Sequence, residues 1–192
     1  MQQLPEQITT ERLTLRPYTT GDASWYYAMS LRNRAHLAQY EADNPAMSLE
    51  SEAEAEALMR DFAAAWAGRD YFFLGAFDRQ TGAFVAQVAV GPVEWDPPCF
   101  EIGYFAEVDH EGRGYVTEAV RGALHWLFDG LDAAWVRLEC DDTNVRSWRL
   151  AERVGFARQK HLQGAKLQPD GTVTGTLIYG IRREDWVKVA GP

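Results

Sequence analysis

The alternation of apolar and polar residues predicts strands and two helices in the first half of the chain. Residues 12–16 place Leu13 and Leu15 on one face, which is the two-residue period of a half-buried strand. Capping residues followed by aromatic or acidic runs predict helices over 23–32 and 48–66. β-branched and aromatic runs predict three further strands, over residues 71–77, 83–90 and 100–105.

The second half of the chain alternates strands with helices. A turn at 110–115 leads into a helix predicted over 115–128, because Val116, Val120 and Leu124 repeat at helical spacing. The further elements are a strand at 134–140, a helix at 144–154, a strand from Phe156, a turn at 168–171 and a strand at 175–182. This order predicts an α+β fold with a mixed, mostly antiparallel sheet, and the lack of a linker predicts one domain over residues 1–192.

Composition and charge narrow the function classes. The net charge of -9 argues against binding to a nucleic-acid backbone and suits an amine-bearing substrate. The chain has no bilayer-length apolar run and no secretory signal pattern, so a cytoplasmic protein without a membrane partner is expected. The four histidines are too scattered for a metal site, and the two cysteines, Cys99 and Cys140, are expected to be buried thiols.

The turn at 110–115 is the strongest candidate for ligand binding. Gly112 and Gly114 stand between a strand and a helix, where backbone N–H groups converge on an anion at the positive end of the helix dipole. No Gly-Lys-Ser/Thr sequence follows, which excludes a P-loop, and Thr117 replaces the third glycine of a dinucleotide fingerprint. A tight turn with a purely structural role in an interaction protein stays the alternative.

Four segments with characteristic spacing carry a family resemblance. They are Glu101–Tyr104, His110–Ala119, Asn144 with Ser147, and Glu152–Phe156, flanked by an opening segment at 10–16 and a closing segment at 179–186. Together they resemble the GNAT superfamily of acyl-CoA-dependent N-acyltransferases, most closely the branch of ribosomal-protein N-terminal acetyltransferases (RimJ/RimL-like). The resemblance implies a twisted sheet with flanking helices that is splayed between the fourth and fifth strands.

The same resemblance implies acetyl-CoA as the co-substrate and no metal. The pantetheine arm would lie in a V-shaped opening between the strands that end near Ala106 and Cys140, and the turn would hold the pyrophosphate. The implied cofactor-binding residues are Tyr104, Phe105, Ala106, Glu111, Gly112, Arg113, Gly114, Tyr115, Val116, Thr117, Asn144 and Ser147. Glu111 stands where relatives have Gln or Arg, so its carboxylate is expected to turn away from the pyrophosphate, while Arg113 helps to neutralise it.

The implied catalytic residues depart from the family pattern. Ala151 replaces a tyrosine that protonates the leaving thiolate in many relatives, and Ser147 is the implied substitute. Lys166 replaces the glutamate base of the closest branch. Glu139, and after it Glu101, are the remaining candidates for the base, with a water-relayed proton as a third option.

The predicted function is transfer of an acetyl group from acetyl-CoA to a primary amine of a protein N-terminus or small molecule, by direct attack on the thioester. Backbone N–H groups of residues 105–107 would stabilise the oxyanion. Residues 25–27 would line part of the acceptor pocket, unless they only pack in the core. Alternatives are an acyl-CoA sensor without turnover and a transferase for a longer acyl group. Formation of a homodimer stays open. Gly175 stands where the resembled branch commonly has an aspartate, so the acceptor stays unidentified.

Overall fold

A computed structural model describes residues 3–167 and 171–190, in two compact units. The first unit comprises the chain up to Gly91 together with Tyr104–Ala123, and the second comprises Pro92–Gly103 together with the chain from Leu124. The single domain over residues 1–192 stays a prediction. Residues 168–170 of the turn predicted at 168–171 lie outside the described residues.

The first unit contains the strands that were predicted in the first half of the chain. β1 to β4 pair in sequence order and antiparallel, with Leu15 opposite Ala76 and Leu74 opposite Val88. Leu13 and Leu15 are fully buried, as their alternation predicted. The strands are β1 Ile8–Thr9, β2 Leu13–Pro17, β3 Phe72–Asp78, β4 Phe84–Trp95, which continues into the second unit, and β5 Pro98–Ala106, which returns from it.

Two helices cover the core of the first unit. α1 spans Ala23–Leu37 and runs five residues past the predicted end, because neither glycine nor proline interrupts it and both Met29 and Leu37 are buried. α2 spans Glu52–Gly68, and the Ser51 side chain caps it by accepting a hydrogen bond from the Glu54 N–H group. The aromatic and aliphatic core of this unit contains Tyr18, Tyr26, Met29, Met59, Phe62 and Phe105.

The second unit holds the remaining strands and helices. β6 Trp135–Asp141 pairs antiparallel with β8 Val173–Arg182, and β8 pairs antiparallel with β7 Ala157–Leu167. α4 spans Val145–Arg153, and α5, which was not predicted, spans Arg183–Ala190. α3 Tyr115–His125 begins in the first unit, and a wider helical turn, Trp126–Gly130, follows it.

One parallel contact makes the sheet mixed. Cys99, Phe100 and Glu101 of β5 lie opposite Trp135, Val136 and Arg137 of β6. In the part of the chain that the structure describes, this register covers only these pairs, whereas β6 continues to pair with β8 as far as Asp141 opposite Thr176. The predicted α+β class, with a mixed, mostly antiparallel sheet, is therefore confirmed, and the splay stays a prediction.

Candidate active site

The glycine turn of the first unit has a backbone that favours glycine. Gly112 and Gly114 have φ angles of +74° and +79°, in the left-handed region that side chains with a Cβ rarely adopt. α3 begins at Tyr115, and the Glu118 N–H group donates to the Gly114 carbonyl at 3.1 Å. The N–H groups of the first helical turn have no acceptor within the helix. The exposed turn can therefore present backbone donors to an anion.

A buried carboxylate holds the segment before the turn. Glu107 is 2% exposed and accepts hydrogen bonds from the Asp109 N–H group at 2.8 Å and from His110 Nδ1 at 3.1 Å. Burial opposes its ionisation, but the bonds from His110, Asp109 and Asn33 outweigh this and lower the pKa of Glu107. The fully buried Asn33 of α1 accepts from the Val108 N–H group at 2.8 Å. α1 thus fixes the backbone that leads into the turn.

A second carboxylate clamps the segment after the turn. Glu118 accepts from Thr10 Oγ1 at 2.6 Å, from the Arg12 N–H group at 2.7 Å and from Arg12 Nε at 2.6 Å. Arg12 Nη1 donates to the Arg113 carbonyl at 3.1 Å, and the guanidinium lies 4.8 Å from the centre of the Tyr115 ring. Arg12 and Glu118 lie in segments that carry the family resemblance, but the sequence assigned them no role. In the structure their hydrogen bonds hold the turn in position.

The side chains that flank the glycines have partners outside the turn or in the segment before it. Glu111 Oε1 lies 3.5 Å from His36 Nε2 of α1, which agrees with the expectation that this carboxylate points away from a bound anion. Arg113 Nη2 donates to the Asp109 carbonyl at 3.1 Å, and the side chain is exposed. Tyr115 Oη donates to Asp78 Oδ2 at 2.8 Å, so the ring at the start of α3 is anchored to β3.

The end of β5 corrects one expectation about the oxyanion. The Glu107 N–H group donates to the Val85 carbonyl at 3.1 Å, so this group is committed to the sheet. Phe105 is buried and lies 6.2 Å from Phe84 in the core of the first unit, whereas Tyr104 and Ala106 are partly exposed. The Glu107 N–H group is therefore not available to an oxyanion as the predicted 105–107 set required.

The second unit places Ser147 beside a thiol. Asn144 is the N-cap of α4, and its Oδ1 accepts a hydrogen bond from the Ser147 N–H group at 3.1 Å. The Ser147 hydroxyl is also hydrogen-bonded to the Cys140 side chain of β6. Burial raises the pKa of the Cys140 thiol to about 11, with a smaller opposing effect of Ser147. The cap thus holds the Ser147 backbone, and the hydroxyl contacts a thiol that stays protonated at neutral pH.

The structure does not bring the two candidate glutamates to Ser147. Adjacent residues of a strand point to opposite faces, so the exposed Glu139 lies on the other face of β6 from Cys140. Glu101 Oε2 accepts a hydrogen bond from Arg137 Nε at 2.6 Å. The ion pair engages one of the two carboxylate oxygens of Glu101. Both glutamates stay predictions as the general base.

The aromatic residues at the start of α1 pack in the first unit. Trp25 Nε1 donates to Asp22 Oδ1 at 2.8 Å, and Tyr26 Oη donates to Gln87 Oε1 at 3.1 Å. Tyr27 Oη donates to the Glu50 carbonyl at 2.8 Å. Tyr26 belongs to the core and the other two pack against it, so core packing describes 25–27 better than an acceptor pocket.

Residues 3–167 and 171–190 contain neither a metal-binding cluster nor a membrane-spanning helix. In this part of the chain, no group of three or more His, Cys, Asp or Glu side chains could hold a metal ion. None of the helices described there has both the length and the apolar character that a membrane crossing requires.

Known proteins match the chain over much of its length. The profile of a family described as acetyltransferase (GNAT) domain matches residues 12–157. YkkB, an uncharacterized protein of Bacillus subtilis (strain 168), is 32% identical over 89 residues, which cover 46% of this chain and 52% of YkkB. The chain therefore spans about half the length of this curated relative.

Two solved structures share the fold. RimL, a ribosomal L7/L12 alpha-N-protein acetyltransferase in complex with coenzyme A, matches with a TM-score of 0.81 and 17% identity, over 92% of this chain and 98% of that chain. MccE, a microcin C7 self-immunity acetyltransferase in complex with acetyl-CoA and AMP, matches with a TM-score of 0.82 and 18% identity, over 93% of this chain and 97% of that chain. At these identities the likeness is one of fold.

Proposed function

The chain belongs to the acetyltransferase (GNAT) domain family, and on that premise we propose that it transfers an acetyl group from acetyl-CoA to a primary amine. The observation that carries this proposal is the exposed turn with Gly112 and Gly114 in left-handed conformations at the start of an 11-residue helix. Backbone N–H groups and the positive end of the helix dipole suit a pyrophosphate.

The residues around this turn fit a CoA pyrophosphate. A Cβ at Gly112 would meet no atom within 4 Å, so the space over the turn is open. The Glu111 carboxylate is drawn toward His36 and adds little negative charge there, while the exposed Arg113 supplies a positive charge. We assign cofactor contacts to Tyr104, Phe105, Ala106, Glu111, Gly112, Arg113, Gly114, Tyr115, Val116, Thr117, Asn144 and Ser147.

The reaction requires a neutral amine and a protonated leaving group. Acetyl-CoA supplies an activated acyl group as a thioester; the amine nitrogen forms a bond to the acyl carbon as the carbon–sulfur bond breaks. An alkylammonium ion has a pKa near ~10, so a base must remove a proton before attack. We assign Ser147 to protonate the leaving sulfur, because the Asn144 cap holds its backbone and its hydroxyl is hydrogen-bonded to Cys140.

The acceptor is a peptide N-terminus or a small amine. RimL is named for acetylation of a ribosomal protein, which supports the first class, and the acidic net charge of -9 suits a cationic acceptor of either class. An acyl-CoA sensor without turnover is the second candidate, supported by the engagement of Glu101 with Arg137. A cytoplasmic location and a homodimer stay predictions.

Thiol release with purified protein tests the proposal. We expect acetyl-CoA to raise the melting temperature, and at least one amine in a panel of peptides, polyamines and aminoglycosides to release free CoA. Stabilisation by acetyl-CoA without thiol release from any amine would favour the acyl-CoA sensor. Faster thiol release from a longer acyl-CoA would show that the longer acyl-CoA is the preferred acyl donor. The absence of both stabilisation and thiol release would contradict the proposal.

A further inference from the structure

A histidine and an aspartate form a hydrogen-bonded pair in the second unit. His161 Nε2 of β7 lies 2.8 Å from Oδ2 of Asp142, which follows the end of β6. We propose that His161, oriented by Asp142, is the general base that takes a proton from the acceptor ammonium. This inference rests on the proposed amine acetylation and names a residue that would touch the acceptor.

The strand register places this pair on the same face as Ser147. Leu177 of β8 lies opposite Cys140 of β6 on one side and opposite His161 of β7 on the other. Directly opposed residues of neighbouring strands point to the same face of the sheet. The imidazole therefore lies on the face where the Cys140 side chain is hydrogen-bonded to Ser147. Strands are spaced ~4.8 Å apart, so the backbones of Cys140 and His161 are about 10 Å apart. Leu177, which is buried on this face, lies between the two side chains.

Gly175 leaves the space that the pair needs. A Cβ built at Gly175 would lie 2.8 Å from His161 Nε2 and 2.9 Å from the Leu162 carbonyl oxygen. It would come closer still to Asp142 Oδ2. Any side chain at position 175 therefore requires the imidazole or the carboxylate to move. The Asp142 N–H group donates to the Gly175 carbonyl at 3.0 Å, which ties the carboxylate's backbone to β8.

The pair has the polarity of an oriented base. Asp142 accepts a hydrogen bond from the Gly175 N–H group and one from His161, and these bonds lower the pKa of its carboxyl. With the Nε2 proton directed at Asp142, the imidazole lone pair lies on Nδ1, where it can accept a proton from an amine. The resulting imidazolium would be stabilised by Asp142 and would release its proton to water.

The surroundings keep the imidazole accessible. The His161 side chain is 36% exposed and that of Asp142 is 25% exposed. Two other charged groups lie nearby. The Asp141 carboxylate accepts a hydrogen bond from Thr174 Oγ1 at 2.7 Å, and the positive charge of Lys166 favours the ionised form of Asp141. Asp141 lies on the face opposite to Asp142 along β6, so the carboxylate that contacts the imidazole is that of Asp142.

Steady-state kinetics of His161→Gln test the inference on the full chain. With the amine that releases CoA fastest, we expect kcat to fall about 100-fold, because positioned proton transfer contributes ~10² to 10⁴ in rate. The KM for acetyl-CoA and the thermal shift with CoA should stay at the wild-type values. The ionisation that His161 contributes to the pH profile of kcat should disappear, and Asp142→Asn, as a change in a positioning residue, should lower kcat about tenfold.

The chain offers a matched control. His125 Nδ1 and Asp129 Oδ2 form a second His–Asp pair at 3.3 Å, and both of their side chains are more than half exposed. We expect His125→Gln to leave kcat and the pH profile unchanged. Added imidazole should restore part of the activity of His161→Ala, which loss of a merely structural contact would not allow.

The outcomes separate this inference from the proposed function. Wild-type thiol release together with a wild-type kcat and pH profile for His161→Gln would overturn the inference alone. A lowered kcat with an unchanged pH profile and no rescue by imidazole would also overturn it. Absence of thiol release from the wild type with every amine would overturn both proposals.

Discussion

The glycine turn and the segment around Ser147 fix functional atoms in different ways. The turn presents backbone N–H groups, and two ionised carboxylates, Glu107 and Glu118, hold the backbone on either side of it. Around Ser147 the candidate functional atoms belong to side chains. A helix cap and the strand register hold the backbone that carries these side chains. On the proposed assignment, binding depends on backbone conformation, whereas chemistry depends on which side chains share a face.

The largest effect should come from the hydroxyl of Ser147. We expect Ser147→Ala to lower kcat by about 100-fold or more, because the leaving sulfur would lose its positioned proton donor. The KM for acetyl-CoA should change little, because Ser147 is one of the twelve assigned cofactor contacts and the turn is untouched. Ser48→Ala is the control, since that exposed hydroxyl donates to the Pro45 carbonyl at 3.1 Å. A wild-type kcat for Ser147→Ala would assign the proton to another donor.

A side chain in the turn should affect binding instead of turnover. We expect Gly112→Val to weaken acetyl-CoA binding about 30-fold, or ~2 kcal/mol, because a β-branched residue resists a φ of +74° and the backbone would rearrange. Gly82→Val is a matched control, since Gly82 has a φ of +71° and also has no atom within 4 Å of a built Cβ. Both variants should lose similar stability, measured by thermal unfolding. Equal CoA affinities in the two variants would contradict a role of the turn in binding.

The clamp behind the turn should have a smaller effect on binding. We expect Glu118→Gln to raise the KM for acetyl-CoA about fivefold with kcat unchanged, because the ion pair with Arg12 positions the Arg113 carbonyl. The exposed Glu56–Arg60 pair, at 2.6 Å, provides the control variant Glu56→Gln. If kcat fell while KM stayed constant, Glu118 would have another role.

The smallest effect concerns the stability of the first unit in acid. Burial of Asp22 opposes ionisation, but Arg16, Thr19 and Trp25 outweigh it and lower its pKa to about 2. Because the folded-state pKa lies below the unfolded value, this contribution is complete above pH ~4 and is lost as the pH falls toward 2. We expect Asp22→Asn to remove about 1 kcal/mol of the pH-dependent stability, measured by urea unfolding. An unchanged slope between pH 4 and 2 would contradict this.

The sequence predicted most strands, most helices and the glycine turn, because hydrophobic periodicity and turn chemistry are local signals. It missed α5, whose eight residues are too few to show a helical repeat, and the last five residues of α1, which tertiary burial of Leu37 supports. Glu139 ranked first as the base from the sequence alone, because the sequence does not show which face of β6 lies beside Ser147. From the sequence, His161 was considered only as a metal ligand, since its pairing with Asp142 requires the alignment of three strands.

One measurement separates the two regions most directly: acetyl-CoA affinity and amine-dependent thiol release, determined together for Gly112→Val and Ser147→Ala. We expect Gly112→Val to lose affinity and to recover much of its turnover at saturating acetyl-CoA. We expect Ser147→Ala to keep wild-type affinity and to lose turnover at every concentration. The opposite pattern, with affinity lost in Ser147→Ala and retained in Gly112→Val, would contradict the assignment of binding to the turn and chemistry to Ser147.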